Sequence, residues 1–301
     1  MAENKFIREF LNYIKIEKNY STHTLRSYQQ NLNRMKDFFD QYDGESRLDK
    51  LDRSAVQFFL ADISKRGIKA TSLSQNIATV KSFFRFMVEF EYVKSNITHG
   101  IAFPKIPKKL PRILNEKEMK LLLSLPDLKT PVGIRDRMMM EILYSSGIRI
   151  SELVTIKLKN IRLEQGQIKV LGKGNRERQV LLGTKAIKYL KKFLTVRKGL
   201  QYSDSLFLIP NLRKNQSGNS HISIKKVYNV LKKYLNQVNE DIISPHSIRH
   251  STATHMLERG ADLMSVKETL GHENIISTQV YTHVQKKYME KVYKQAHPHG
   301  N

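Results

Sequence analysis

The sequence predicts a two-domain, mainly α-helical protein with one small antiparallel β-sheet. Three observations carry that reading. Apolar residues recur at three- and four-residue spacing through most of the chain. One stretch, residues 168–182, alternates instead, broken by the turn sequence Gly172-Lys173-Gly174-Asn175. Finally, Pro104, Pro107 and Pro111 fall close together, where they block both helix continuation and central-strand pairing. They divide the chain into residues 1–103, a linker at 104–112 and residues 113–301. A chain of 301 residues is long enough for both parts to bury a core.

The first part reads as four helices. Phe6, Phe10, Leu11 and Ile14 mark the first. Ser21 offers an N-cap to a second carrying Leu25, Tyr28, Leu32, Met35, Phe38 and Phe39, interrupted at Asp43-Gly44. A third spans Ser54 to Ile63 and stops near Gly67. A fourth starts at Ser72 or Ser74, with Ile77, Val80, Phe83, Phe84 and Met87 on one face. Aromatic stripes at this spacing are the packing face of a helical bundle rather than a cofactor pocket.

In the second part, Asn115 followed by Glu118 forms a capping-box start for a helix through Leu125. A longer helix runs from about Val132 to Ser146 and ends at Gly147. After the hairpin come helices at Thr184–Arg197, His221–Val238, Pro245–Glu258 and Asp262–Leu270. Residues 199–220 read as a loop with one short strand at Phe207–Ile209. In the tail, Val284, Tyr288, Val292 and Ala296 follow helical spacing.

The net charge of +24 points to a polyanionic partner. It is unevenly placed: residues 1–104 hold 16 Lys+Arg against 12 Asp+Glu, and residues 105–301 hold 36 against 16. Because the cations are scattered through patterned helices rather than gathered in a tail, they suit a folded nucleic-acid surface better than an anionic membrane. No apolar run approaches the roughly 18 residues that span a bilayer, and the N-terminus lacks a signal-peptide core. The absence of cysteine excludes disulfides and cysteine-ligated zinc and suits a reducing cytoplasm.

The chemistry-bearing residues gather near the end. His246-Ser247-Ile248-Arg249-His250 is followed by Leu270-Gly271-His272 and by Tyr281, and Gly147-Ile148-Arg149 lies upstream. Phosphodiester cleavage needs a nucleophile, charge stabilisation on the phosphoryl oxygens and a proton donor for the leaving oxygen. Glu268 and Glu273 are isolated from other carboxylates in a basic neighbourhood, which argues against a two-metal site. Arginine is the metal-free substitute, since its planar guanidinium grips two oxygens at once. Lys173 at a hairpin tip is placed to protonate a leaving oxygen. His246 and His250 stand at zinc-ligand spacing but lack the intervening glutamate of a zinc-protease motif. His246 and His272 make better phosphoryl-oxygen donors. Tyr281 has a phenol whose pKa of about 10 a cationic cluster would depress. Each residue alone has an ordinary structural explanation, and only their combination points to chemistry.

That combination resembles the tyrosine recombinase (phage integrase) family, closest to its Xer branch. The matching stretches are SSGIRISEL at 145–153, LGKGNRERQVLL at 171–182, HSIRHSTATHML at 246–257 and LGHENIISTQVYTHV at 270–284, with FLNYIKIEKNYSTHTLRSYQQNL at 10–32 in the first domain. The resemblance implies a SAM-like core-binding domain and a catalytic domain closing as a C-shaped clamp around duplex DNA. It implies Arg149 and Arg249 as the phosphate-clamping pair, Lys173 as general acid, and His246 and His272 in support. Tyr281 would form a 3′-phosphotyrosine, and Glu152 would support the site structurally. No metal or other cofactor is implied. The partners are a specific recombination site in double-stranded DNA, three further copies or a related recombinase in a tetramer, and in some systems a DNA translocase. The segment from about 284 to 301 would be exchanged between protomers. The chain enters the core-binding helices almost at once, leaving no room for an arm-binding domain. The expected function is site-specific recombination through a Holliday junction, as in resolution of chromosome or plasmid dimers in the cytoplasm. Integration of a mobile element, a tyrosine-type topoisomerase and a non-catalytic DNA-binding protein are the alternatives.

Overall fold

The computed structural model describes residues 4–18, 20–43, 47–106, 112–172, 177–198, 207–209, 221–239 and 244–271. The chain forms two compact units, residues 1–109 and 110–301. Residues 107–111 of the expected linker lie outside the described residues.

The first unit holds α1 (Lys5–Ile16), α2 (Thr22–Asp43), α3 (Arg53–Lys65) and α4 (Ala70–Glu89). Caps fix where three of them start. The Asn4 side chain accepts from the backbone N–H of Phe6 and Ile7, Ser21 Oγ accepts from Thr24 N–H at 3.2 Å, and Asp52 accepts from Ala55 N–H at 2.7 Å. The fourth start differs from the sequence expectation. It lies at Ala70, with no side-chain cap at Lys69, and Ser72 already belongs to the first turn, where its carbonyl accepts from Asn76 Nδ2. Gly67, at φ +76°, turns the chain ahead of this helix, and Leu73 in its first turn packs against the core.

The aromatic stripes form the core of this unit. Phe10, Phe59, Phe83 and Phe84 are fully buried, and Phe10 meets Phe83 edge-on at 5.5 Å. Burying each such side chain contributes about 2–3 kcal/mol. A buried polar pair, Asn31 Nδ2 to Thr79 Oγ1 at 3.1 Å, ties α2 to α4 within this apolar setting.

In the second unit, α5 (Glu116–Ser124) begins with the expected capping box between Asn115 and Glu118. It is followed by α6 (Pro131–Ser146), whose residues are buried on nearly every side because α5, α7, α8, α9 and α10 surround it. Its start is tight. Thr130 accepts from Gly133 N–H, and a Cβ at Gly133 would lie 1.9 Å from the Asp127 carbonyl oxygen. Its end is the left-handed Gly147, φ +60°.

Next come α7 (Ile150–Val154), a 3-10 turn (Leu158–Asn160) and a sheet of order β1-β2-β3. β2 (Gln167–Leu171) and β3 (Glu177–Leu181) form the expected hairpin, paired from Gln167↔Leu181 to Leu171↔Glu177. β1 (Ile161–Arg162) adds a two-residue edge that alternation could not register. The expected strand at 207–209 is a single bridge, Lys157↔Phe207, held because Arg197 on α8 (Thr184–Arg197) donates to the Phe207 and Leu208 carbonyls. Ile222 N–H pairs with the Ile209 carbonyl, so α9 (Ile224–Val238) starts at the Ser223 cap, later than the His221 start read from the sequence. α10 (His246–Glu258) and α11 (Leu263–Leu270) complete the described part, and α11 closes on the left-handed Gly271, φ +64°. The tail pattern at 284–296 lies outside the described residues.

Candidate active site

Three local features deliver the site. Gly147 ends α6 in a left-handed turn, so the chain reverses and Arg149 becomes the N-cap of α7. An arginine cannot cap with its own side chain as an acceptor. Instead Glu152, at the third helical position, reaches back and accepts from Arg149 N–H at 2.7 Å. The same carboxylate meets Arg149 Nη1 at 3.3 Å, which orients a guanidinium still 37% exposed.

Arg249 sits one turn into α10, nearly buried at 9% exposure. Two backbone carbonyls hold its guanidinium: Gly147 O accepts from Nη1, and Leu270 O accepts from Nη2 at 2.8 Å. One lies two residues before Arg149 and the other at the end of α11. Arg249 thus locks the α6–α7 turn and the α11 terminus to α10.

His246 stands at the start of α10, one turn before Arg249. Partial desolvation, then the positive charges of Arg249 and Arg149, hold its pKa below the ordinary histidine value, although part of the residue faces solvent. Arg249 grips the Gly147 carbonyl two residues before Arg149 and lies one helical turn from His246, which brings the three residues to one region of the fold. His250, one turn further on, is lowered by burial, His246 and Arg249. Lys173, His272 and Tyr281 lie outside the described residues.

Arg178, on β3, is the residue that sequence reasoning missed. It places Nη1 2.6 Å from Glu152 Oε1 and Nη2 3.1 Å from Oε2, a two-toothed grip on the buried carboxylate. Nη2 also lies 3.4 Å from Leu270 O. Burial raises the pKa of Glu152, but the Arg178 hydrogen bonds, the Arg149 N–H and the two guanidinium charges outweigh it and leave the carboxyl below its usual range. One signal was present in the sequence. The strand alternation puts Arg178 on the inward face with Val180, and a cation at such a position needs a partner.

Charge therefore decides what the site can do. Two guanidinium groups, Arg149 and Arg178, hold one carboxylate, a third, Arg249, shares the Leu270 carbonyl with Arg178, and the His246 imidazole lies one turn from Arg249. The surplus is positive and fixed by backbone carbonyls, which suits stabilising a phosphoryl group in its transition state. Among the described residues, no three histidine or carboxylate side chains group as metal ligands, and no helix is long and apolar enough to cross a membrane.

Known proteins share this chain's sequence pattern and fold. The phage integrase family model matches residues 112–288, and the phage integrase N-terminal SAM-like domain matches residues 7–89. The tyrosine recombinase XerD of Staphylococcus epidermidis is 39% identical over 300 residues, covering 98% of this chain and 99% of that one. XerC of Pelotomaculum thermopropionicum is 39% identical over 303 residues, covering 97% of each. Among solved structures, XerH site-specific recombinase bound to palindromic difH substrate, in a post-cleavage complex, superposes with TM-score 0.74 at 22% identity. It covers 96% of this chain and 84% of that one. The two family-model matches, with 39% identity over nearly the whole length of XerD and XerC proteins, place this chain, with its guanidinium-lined site and buried glutamate, in the phage integrase family as a Xer-type tyrosine recombinase.

Proposed function

We propose that the chain cuts and rejoins duplex DNA at a specific site through a 3′-phosphotyrosine, exchanging strands by way of a Holliday junction. The observation that carries this is the fixed cationic pocket: Arg249 is held by the Gly147 and Leu270 carbonyls, and Arg149 by the Glu152 carboxylate that Arg178 also grips. In the proposed reaction Arg149 and Arg249 bind the non-bridging oxygens of the scissile phosphate. The Tyr281 oxygen forms a bond to phosphorus as the bond to the 5′ oxygen breaks. That oxygen takes its electron pair and a proton from Lys173, while His246 and His272 donate to the phosphoryl group. The phosphotyrosine keeps the energy of the broken ester, so rejoining needs no ATP. Arginine charge stands where other nucleases place metal ions, and no cofactor enters the scheme.

The biological role we assign is resolution of chromosome or plasmid dimers, in a tetramer of this chain alone or with a related recombinase, in the cytoplasm where the DNA lies. The 39% identity to XerD and XerC supports this role over integration of a mobile element. We also propose residues 1–103 as the core-binding domain, 104–112 as linker and 113–301 as the catalytic domain with its exchange segment. The reaction class is tested with a nicked suicide duplex carrying a site that the chain selects from a randomised library. Covalent protein–DNA adduct should form in EDTA and at an undiminished rate. Full dependence on added Mg²⁺ would overturn the arginine-based scheme. Relaxation of supercoiled DNA lacking the site would instead mark a topoisomerase.

A further inference from the structure

Arg149 and Arg249 reach the site from different helices, and their guanidinium groups carry like charges that repel. Holding both in one fixed relation therefore needs a frame, and hydrogen bonds supply it. Glu152 accepts from Arg149 N–H at 2.7 Å and from Arg149 Nη1 at 3.3 Å. Arg178 on β3 grips both oxygens of that carboxylate, with Nη1 at 2.6 Å and Nη2 at 3.1 Å. Its Nη2 also lies 3.4 Å from the Leu270 carbonyl, which accepts from Arg249 Nη2 at 2.8 Å. Arg249 Nη1 in turn donates to the Gly147 carbonyl, two residues before Arg149. The contacts close into a ring.

Two links join the arginine pair around this ring. One is the backbone of Gly147-Ile148-Arg149, and the other is the Arg178 side chain. The first fixes where the two residues start, and the second fixes where their guanidinium groups end. Both Nη groups of Arg178 are committed to Glu152 and Leu270, so it acts through these neighbours and not on a substrate. The Glu152 charge offsets one of the three positive charges, which leaves two for an anion. The α11 terminus packs close to the same side chain. A Cβ on Gly271 would lie 2.7 Å from Arg178 Nε and 2.8 Å from Cζ, and Gly271 takes φ +64°.

A planar guanidinium suits this link because it presents several donors in fixed directions. An ammonium group could neutralise Glu152, but it could not hold both carboxylate oxygens and the Leu270 carbonyl in the same geometry.

We propose that Arg178 is a positioning residue that closes this ring and so sets the spacing and direction of the Arg149 and Arg249 guanidinium groups to fit one phosphate. The inference rests on the function proposed above, in which that pair binds the scissile phosphate. A fixed pair meets the charge of the transition state without reorganising, whereas a loosened pair must be re-aligned at each turnover.

The test is a double-mutant cycle with wild type, Arg178→Lys, Arg149→Lys and the double variant, and Arg178→Ala as a second lesion. Adduct formation is followed at saturating DNA, on a nicked suicide duplex whose sequence wild type selects from a randomised library. Each protein is assayed below its measured melting temperature, and its DNA affinity is measured separately. Arg178→Lys and Arg178→Ala should bind DNA about as tightly as wild type and form adduct about 100-fold more slowly, the cost of an ångström-scale misplacement. In the Arg149→Lys background the pair is already broken, so adding Arg178→Lys should change the rate by less than about twofold. A further 100-fold loss there would show that Arg178 acts independently of the pair and would overturn the proposal. Wild-type rates in Arg178→Lys would overturn it too, as would a loss of DNA affinity that accounts for the slower adduct. If wild type formed no adduct, or Arg149→Lys formed it at the wild-type rate, the proposed function would fail instead.

Discussion

Replacing Glu152 by glutamine probes the centre of the site while changing almost no volume. The carboxylate accepts four donors: Arg149 N–H at 2.7 Å and Arg178 Nη2 at 3.1 Å on Oε2, Arg178 Nη1 at 2.6 Å and Arg149 Nη1 at 3.3 Å on Oε1. A glutamine keeps one carbonyl oxygen and turns an NH2 toward the other pair. Whichever way it is turned, two donors lose their acceptor. Charge-assisted hydrogen bonds contribute about 1.5–3 kcal/mol each. The Arg149 side chain is 37% exposed, and water replaces part of its loss. The sum at the low end is about 3 kcal/mol, the bottom of the roughly 3–5 kcal/mol range for breaking a fully buried pair. For a domain of this size, about 2–4 °C of melting temperature accompanies each kcal/mol, so Glu152→Gln should melt about 6–12 °C lower at neutral pH. The pH dependence supplies a second arm. The folded carboxyl lies below its unfolded value, so its contribution is complete above the unfolded value of about 4.3 and disappears as pH falls through the folded one. The gap between wild type and variant should therefore narrow on acidification below about pH 4. Calorimetry from pH 7 to pH 3 reads both. A neutral-pH difference under about 2 °C, or a gap constant across that range, would refute the reasoning.

Two further predictions concern the flanking residues. In the DNA-free protein, His246 should titrate by NMR below the unfolded value of about 6.5, and Arg249→Gln should raise its midpoint by removing one of the charges that lower it. Since the folded pKa is the lower one, the imidazole opposes folding at acid pH, and stability rises as pH increases between the two values. A midpoint at or above the unfolded value would contradict the shared neighbourhood. Gly147→Ala combines a left-handed φ of +60° with a Cβ 2.5 Å from Leu270 Cδ2. It should cost about 2–4 kcal/mol in urea unfolding from strain and overpacking together, and a loss under about 0.5 kcal/mol would show that the turn relaxes freely.

Local signals were legible in the sequence. The Asn115–Glu118 capping box, the Gly147 terminator and the hairpin around residues 168–182 are short-range patterns, and each has a structural counterpart. Arg149, His246 and Arg249 could be singled out as candidates because their motifs are short and ordered. What the sequence concealed depends on distance along the chain. Arg178 meets Glu152 across 26 residues and Leu270 across 92, and no periodicity connects such partners. The start of α4 also escaped: Ser72 and Ser74 look like caps, but the helix begins at Ala70 with no side-chain cap to mark it. The crowding of Gly271 by the Arg178 side chain shows only in three dimensions.

The central claim is that this pocket directs Tyr281 onto a DNA phosphate. The measurement that reaches it most directly is peptide mapping by mass spectrometry of the adduct trapped on a nicked suicide duplex. The account predicts a single modified peptide bearing a 3′-linked nucleotide on Tyr281, and Tyr281→Phe that still binds DNA but yields no adduct. A nucleotide on any other residue, or undiminished adduct from Tyr281→Phe, would contradict it.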